Sequence, residues 1–531
     1  MCTLRKRVGL DNSKVVEQAA APSAPTQPSA VRVARGASYF MIQNFTISAA
    51  QIVSFAILAR LITTSEMGIL AVLNLVNAAC LTFGTVSLQQ AATRFVAEAH
   101  AKGETGAAAV FYQSLRATFI LAGLTGGGVF LASGLLAVRL VGALSYAIYF
   151  QVLALDIVIF TGLNPVLLST MVGLQKFREA AGIGILGALI RQALIIALIL
   201  VLRSFLGLAI AWVLSDLVLA SAYGVYLFRY LGAPRFDFPL RKLVDYSWPL
   251  LASSGVSYVY SYFDSAVLLA LVPLATLGVY NATLQAFNAL YGVSNAITTT
   301  LFPAYSALQN VKQRESSSGA IRLASRYVCL TVVPLTLGLF ATAKPALSLF
   351  VGRAYVTGSN PLMILTGTFA VTAIGIVLAP MLLARAHTRA SSAITAASVV
   401  LSIATALLLV PNYGMVGAST ARALGMIAST ALTILFLRSR MSLQLDIAMM
   451  VKTITASVVM SVVVLAVQIP LYSPYLLPLY IVIGAVTYLT ALRLLKAVKE
   501  EDIDLIRRYF GHRFSFAPRI LSRILLPTVK R

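Results

Sequence analysis

Fourteen runs of about twenty largely apolar residues stand out along the chain, at 38–59, 68–90, 113–137, 147–172, 181–202, 207–228, 247–271, 279–303, 326–350, 360–384, 391–410, 415–437, 451–470 and 475–494. Each is long enough to cross the hydrocarbon core of a bilayer as a helix. Short polar gaps separate them. The pattern therefore predicts an all-α polytopic membrane protein of about fourteen transmembrane helices. Asn164-Pro165 interrupts the fourth run and predicts a kink, because proline removes a helical hydrogen bond.

Composition agrees with the pattern. Hydrophobic residues make up 59% of the 531 and charged residues 11%, with a mean hydropathy of +0.87. Soluble domains carry roughly 25% charged residues. The net charge of +24 would suggest nucleic-acid affinity in a soluble chain. Here the basic residues lie in the gaps between runs, so orientation in the bilayer accounts for them and no nucleic-acid partner is expected. With the N-terminus inside, only Arg60, Arg139, Arg203, Lys344 and Arg353 fall outside, and Arg191 and Arg422 fall within runs. That leaves 34 of the 41 basic residues on the cytoplasmic side. One misplaced run would destroy this bias. Both termini are expected in the cytoplasm.

The stretch 1–37 is basic at its start and then polar and Ala/Pro/Ser-rich, with no apolar signal region. It is expected to be a disordered cytoplasmic tail. A second basic tail follows at 498–531, where Ile506-Arg507-Arg508-Tyr509-Phe510 mixes charge and aromatic rings as interfacial segments do. Cys2, Cys80 and Cys329 are scattered and imply neither a disulfide nor a metal site.

A repeat emerges at an offset of 210 residues. Gly68 opens the second run and Gly278 the eighth. Gly142, in Leu-Val-Gly, matches Gly352, in Phe-Val-Gly. Leu206-Gly207-Leu208-Ala209 matches Val416-Gly417-Ala418-Ser419, and Arg116 matches Arg326. Each copy holds six runs, an even number, so both enter the membrane from the same side. Two six-helix lobes, 38–235 and 236–440, are thus expected about a pseudo-two-fold axis along the membrane normal, with two additional helices at 441–497. Such duplication suits alternating access around a central cavity. No GxxxxGK[ST] occurs to support an ATP-driven pump.

Some of these residues also carry a family resemblance. Ala59-Arg60-Leu61-Ile62-Thr63-Thr64-Ser65-Glu66-Met67-Gly68 resembles the start of polysaccharide exporters in the multidrug/oligosaccharidyl-lipid/polysaccharide flippase superfamily. Phe263-Asp264-Ser265-Ala266-Val267-Leu268-Leu269 through Leu277-Gly278-Val279-Tyr280-Asn281 resembles that family's junction between the seventh and eighth spans. Thr93-Arg94-Phe95-Val96-Ala97-Glu98 is similar to its amphipathic segment after the second span. Ser265 departs from the pattern, since many relatives place a basic residue there that would pair with Asp264. The resemblance implies a non-enzymatic transporter without cofactors. It would move a polyprenyl-(di)phosphate-linked oligosaccharide from the cytoplasmic to the outer leaflet of the cell membrane. Membrane lipids and a coupling cation are further expected partners, and the chain is expected to act as a monomer.

Charged residues inside spans are costly and mark function by default. Arg191 and Arg422, with Arg60 at the outer end of the first run, are the candidate phosphate and sugar contacts, because a guanidinium grips phosphate through a two-pronged fork. Structural ion pairing and snorkelling are the plainer readings of the same arginines. Asp264, Asp216 and Asp156 are candidates for coupling or ion pairing, with Asp264 expected either to bind a coupling proton or cation or to pair with Arg191. A multidrug/cation antiporter of the same superfamily would favour acidic groups in its cavity. A membrane glycan polymerase or ligase would need a long outer loop, and none longer than about ten residues is expected from the runs.

Overall fold

The computed structural model describes residues 27–102, 104–308, 314–384, 387–440 and 445–497; the expected tail over 498–531 and positions 1–26 lie outside the described residues. Helix α1 (Gln27–Leu61) begins at Gln27 rather than near residue 38. Pro28 sits where a first-turn proline costs no hydrogen bond, and the alanines and arginines that follow are good helix formers. The membrane helix therefore runs on towards the N-terminus.

Thr63 caps α2 (Thr64–Ala79) in a reciprocal box with Glu66. The helix continues as a π turn, Cys80–Gly84, and stops where Val86 and Ser87 both take positive φ. The second run was expected to reach residue 90. Instead α3 (Leu88–Lys102) starts as a separate amphipathic helix, its buried side formed by Leu88, Ala91, Ala92 and Val96. There follow α4 (Glu104–Leu131), the single turn α5 (Ser133–Leu136) and α6 (Ala147–Asp156). The kink expected at Asn164-Pro165 takes the form of a π turn, Ile157–Leu163, leading into α7 (Asn164–Gly173). The wider turn absorbs the hydrogen bond that Pro165 cannot make. Helices α8 (Phe177–Leu202) and α9 (Leu206–Leu231) complete the first half, with α8 packed on both α1 and α9.

The second half opens with α10 (Leu240–Leu271) and α11 (Leu274–Leu308), then α12 (Arg314–Ala341), α13 (Ala343–Phe350), α14 (Ser359–Thr372) and α15 (Gly375–Ala384). The segments Arg353–Thr372 and Gly375–Ala384 bend by 57°. Helix α16 (Thr388–Arg438) covers two expected runs and is broken between them at Gly414, whose φ of 53° and ψ of −128° only glycine adopts readily. Helices α17 (Ile447–Gln468) and α18 (Leu477–Leu494) close the chain.

Among the described residues, ten helices are long and apolar enough to cross a membrane, or eleven with the bent pair as one span. Fourteen were expected. Part of the difference is that Thr388–Arg438 counts once despite its break, and α10 and α11 fall outside the ten. Both carry polar positions on their packed faces, among them Ser247, Asp264, Ser265 and Thr283. The chain is a multi-pass membrane protein, and its outward-facing side chains agree, with Phe45, Leu131 and Val201 largely uncovered.

Polar hydrogen bonds seat the last two helices on α12. Ser461 donates to the Leu337 carbonyl at 2.9 Å, and Gln468 donates to that of Ala341 at 2.9 Å. Pro334 lies inside α12 and offers no N–H to the carbonyl of Leu330, one turn back. The Tyr488 hydroxyl from α18 donates to that carbonyl instead, at 2.9 Å.

Candidate functional site

Among the described residues, each half of the bundle holds an arginine–aspartate pair with its carboxylate buried. In the first half, Arg191 on α8 meets Asp216 on α9, its Nη1 lying 2.9 and 3.0 Å from the two carboxylate oxygens. The guanidinium also stands over the Trp212 ring, 5.5 Å from its centroid. Asn164, at the start of α7 beyond the π turn, donates to the Asp216 main-chain oxygen at 3.2 Å and to its carboxylate at 3.4 Å. Arg191 keeps 26% of its side chain accessible, so one edge of the guanidinium stays available.

Asp156 ends α6 beside this pair, within electrostatic reach of Asp216 and Arg191. It is buried, and among the described residues neither oxygen accepts from a donor group, while its carboxyl lies within hydrogen-bond reach of that of Asp216. The Oδ1 of Asn164 and the hydroxyl of Thr161 are also buried, without hydrogen-bond partners among the described residues. Two carboxylates against one guanidinium leave a negative balance, which a low-dielectric interior penalises heavily unless a proton or small cation offsets it.

In the second half, the Asp264 carboxylate on α10 is saturated. One oxygen accepts from Arg422 Nη2 at 2.9 Å and from the Ser265 N–H at 2.8 Å. The other accepts from Arg422 Nε at 2.6 Å and from the Tyr280 hydroxyl at 2.6 Å. This is the forked geometry that makes arginine–carboxylate bonds strong. Arg422 spends a further N–H on the Ser261 carbonyl at 2.9 Å and stacks over Phe263. Only 12% of its side chain is accessible. Asp264 thus pairs with Arg422 rather than with Arg191, and α16 supplies the cation that Ser265 does not.

Three aromatic residues of α10 divide as helical spacing requires. Tyr258 and Tyr262 lie against each other, and the Tyr258 hydroxyl donates to the Leu75 carbonyl of α2 at 3.1 Å. Tyr260 is within electrostatic reach of Arg422 and Asp264. A cavity of about 460 Å³ opens between α1, α11 and α12, with Ser48, Gln51, Gln285 and Asn288 as its polar lining and Phe55 and Leu339 among its apolar walls. A second, wholly apolar hollow of about 610 Å³ lies between Phe83, α10 and α16.

Arg60 is absent from the lining of either hollow. It stands exposed at the end of α1 and donates to the Leu349 carbonyl of α13. Tyr280 and Asn164 complete the two ion-pair networks without having been expected there, because their roles depend on how the helices are rotated. Arg353, which shares a hollow with Arg60, was legible as one of five outer basic residues.

Residues 33–309 match the family described as polysaccharide biosynthesis protein, more than half of the chain, and the chain belongs to that family. It is similar to the probable low-salt glycan biosynthesis flippase Agl15 of Haloferax volcanii, 24% identical over 290 residues that cover 54% of this chain and 61% of that protein. It is also similar to the succinoglycan biosynthesis transport protein ExoT of Rhizobium meliloti, 27% identical over 336 residues, 62% of this chain and 64% of that one. Each match spans less than two thirds of the relative. Among solved structures, the fold is similar to the lipid II flippase MurJ in an inward closed conformation, with a TM-score of 0.68 and 13% identity over 89% of this chain and 99% of that one. An inward-facing MATE-family multidrug transporter gives a TM-score of 0.57 at 18% identity, over 76% and 94% of the two chains.

Proposed function

We propose that this protein carries a polyprenyl-(di)phosphate-linked oligosaccharide from the cytoplasmic to the outer leaflet of the cell membrane, for assembly of a surface glycan. The observation that carries this reading is the family match over residues 33–309, together with relatives named as a glycan biosynthesis flippase and a succinoglycan transport protein. In this reading residues 38–235 and 236–440 are two lobes that rock about a central cavity, and both termini lie in the cytoplasm. The protein performs no covalent chemistry. The accessible edges of Arg191 and Arg422 contact the phosphate or sugar as it passes.

Asp156 is the residue we assign to a coupling cation. Among the described residues its carboxylate oxygens accept from no donor group and its charged neighbours are Asp216 and Arg191, whereas Asp264 is fully engaged. This same observation favours the second reading, a cation-coupled antiporter of small molecules. Deleting the gene separates them. Lipid-linked glycan accumulates on the cytoplasmic leaflet if the first reading is right. Normal surface glycan with no such intermediate, accompanied by heightened drug sensitivity, would establish the second.

A further inference from the structure

Basic residues are scarce on the face that the charge pattern assigns to the outside. Two of the five, Arg60 and Arg353, line the same hollow of about 320 Å³. Three separate parts of the chain build it. The end of α1 brings Arg60, the turn after α13 brings Arg353, and the loop before α18 brings Pro474 and Tyr475. Gly352 makes this placement possible. Its φ of 120° and ψ of 162° lie in a region essentially restricted to glycine, and the turn there delivers Arg353 to the rim.

No acidic residue lines the hollow, and among the described residues neither arginine has a carboxylate within ion-pair distance. Arg60 is held by the Leu349 carbonyl through one N–H, and its other N–H groups have no hydrogen-bond partner among the described residues. Glu66, three residues beyond Thr63, is occupied in the cap of α2. Tyr475 is 78% exposed, as aromatic residues at a membrane–water boundary are. Two cations with no carboxylate partner among the described residues thus stand together at the end of α1, beside an exposed tyrosine.

We propose that Arg60 and Arg353 form an outer phosphate site, which takes the phosphate or diphosphate of a lipid at the outer face. Guanidinium forks match the oxygens of a phosphate. If the proposed transport is correct, this is where the substrate's phosphate rests after crossing; the identity of the lipid, though not the anion chemistry, depends on that reading. The site also gives α17 and α18 a part to play, since their connecting loop forms one wall.

Full-length protein in phosphatidylcholine nanodiscs, doped with undecaprenyl phosphate, tests this by native mass spectrometry of the retained lipid. We expect R60Q/R353Q to weaken retention tenfold or more and R60K/R353K to restore part of it. The control R139Q/R203Q removes the same charge elsewhere on the outer side and leaves retention unchanged. Equal loss in both glutamine variants would reduce the effect to surface charge and overturn the site, as would full retention in R60Q/R353Q. Parallel discs with phosphatidylglycerol, and competition by inorganic phosphate, identify whether lipid chain, head group or phosphate alone is recognised. Binding is read here without transport, so a failure of the deletion experiment leaves this result standing, and failure here leaves the transport reading untouched.

Discussion

Gly68 of α2 and Gly278 of α11, 210 residues apart, face each other so closely that a Cβ on either would overlap the partner helix's backbone: the Leu274 carbonyl oxygen for Gly68, and that of Thr64 for Gly278. The contact joins two positions matched at the repeat offset, one in each half of the bundle. In the orientation proposed above this is the outer end of the bundle, where α2 and α11 are held close together.

Any side chain at these positions has to push α2 and α11 apart, since the obstructing atoms are backbone and cannot rotate away. We predict that Gly68→Val and Gly278→Val open the outer end. Spin labels at Ser65 and Thr276, in a chain lacking its three cysteines, will report a longer and broader distance distribution than in the parent. Overpacking of this kind costs about 1–3 kcal/mol, small enough for the protein to remain folded. Unchanged distances in both variants would show that the glycine contact does not hold the face closed.

Asp264 and Arg422 should behave as a unit. Removing one member of a buried pair costs about 3–5 kcal/mol, because the other is left charged and unpaired, while replacing both with apolar groups is often close to neutral. Asp264→Asn is therefore expected to lower the thermal unfolding midpoint sharply, and the double change Asp264→Leu with Arg422→Met to recover most of it. If the single change costs under about 1 kcal/mol, the pair is not desolvated as its geometry indicates.

Asp156 predicts the opposite sign. It has no donor to lose and faces the Asp216 carboxyl, so Asp156→Asn, which removes the second charge, leaves stability unchanged or raises it by about 1–3 kcal/mol. It should also abolish a cation response. Trp212, which lies against Arg191, is the reporter in a Trp248→Phe background. Its emission is expected to shift on titration with sodium or protons in the parent and to stay flat in Asp156→Asn. An identical response in both would remove Asp156 from the coupling assignment.

How far the sequence could be read depended on whether the cause was local. Gly142 and Gly352, matched at the repeat offset, both take positive φ, at 98° and 120°. Gly207 and Gly417 both press against the backbone of the preceding helix segment, at Leu198 and Leu409. Glycine at those points answers a backbone requirement that each copy carries within its own few residues, so the pattern was visible. The end of α2 was not, because Val86 and Ser87 adopt positive φ with no glycine to announce it. Nor was the pairing of charges. Arg422 reaches Asp264 across 158 residues, and which aspartate faces which arginine depends on helix rotation that hydropathy does not encode. The acids and arginines could be named in advance, but their partners could not.

Tyr488 and Pro334 offer a sharper test of how the last two helices are held. The Leu330 carbonyl lacks its helical donor because residue 334 is proline, and the Tyr488 hydroxyl takes that place. Hydrogen bonds between membrane helices average about 0.6 kcal/mol and reach about 1.7. This one should lie at the upper end, since its loss leaves the carbonyl unpaired in a dry interface. Tyr488→Phe is therefore expected to cost about 1–2 kcal/mol in the parent chain. In a Pro334→Ala background the helix regains an N–H aimed at Leu330, and the same change should cost almost nothing. A cycle of the four proteins, measured by thermal unfolding in detergent, yields the difference directly. Equal costs in both backgrounds would mean that Tyr488 stabilises through ring packing alone and that the proline has no part in docking α18.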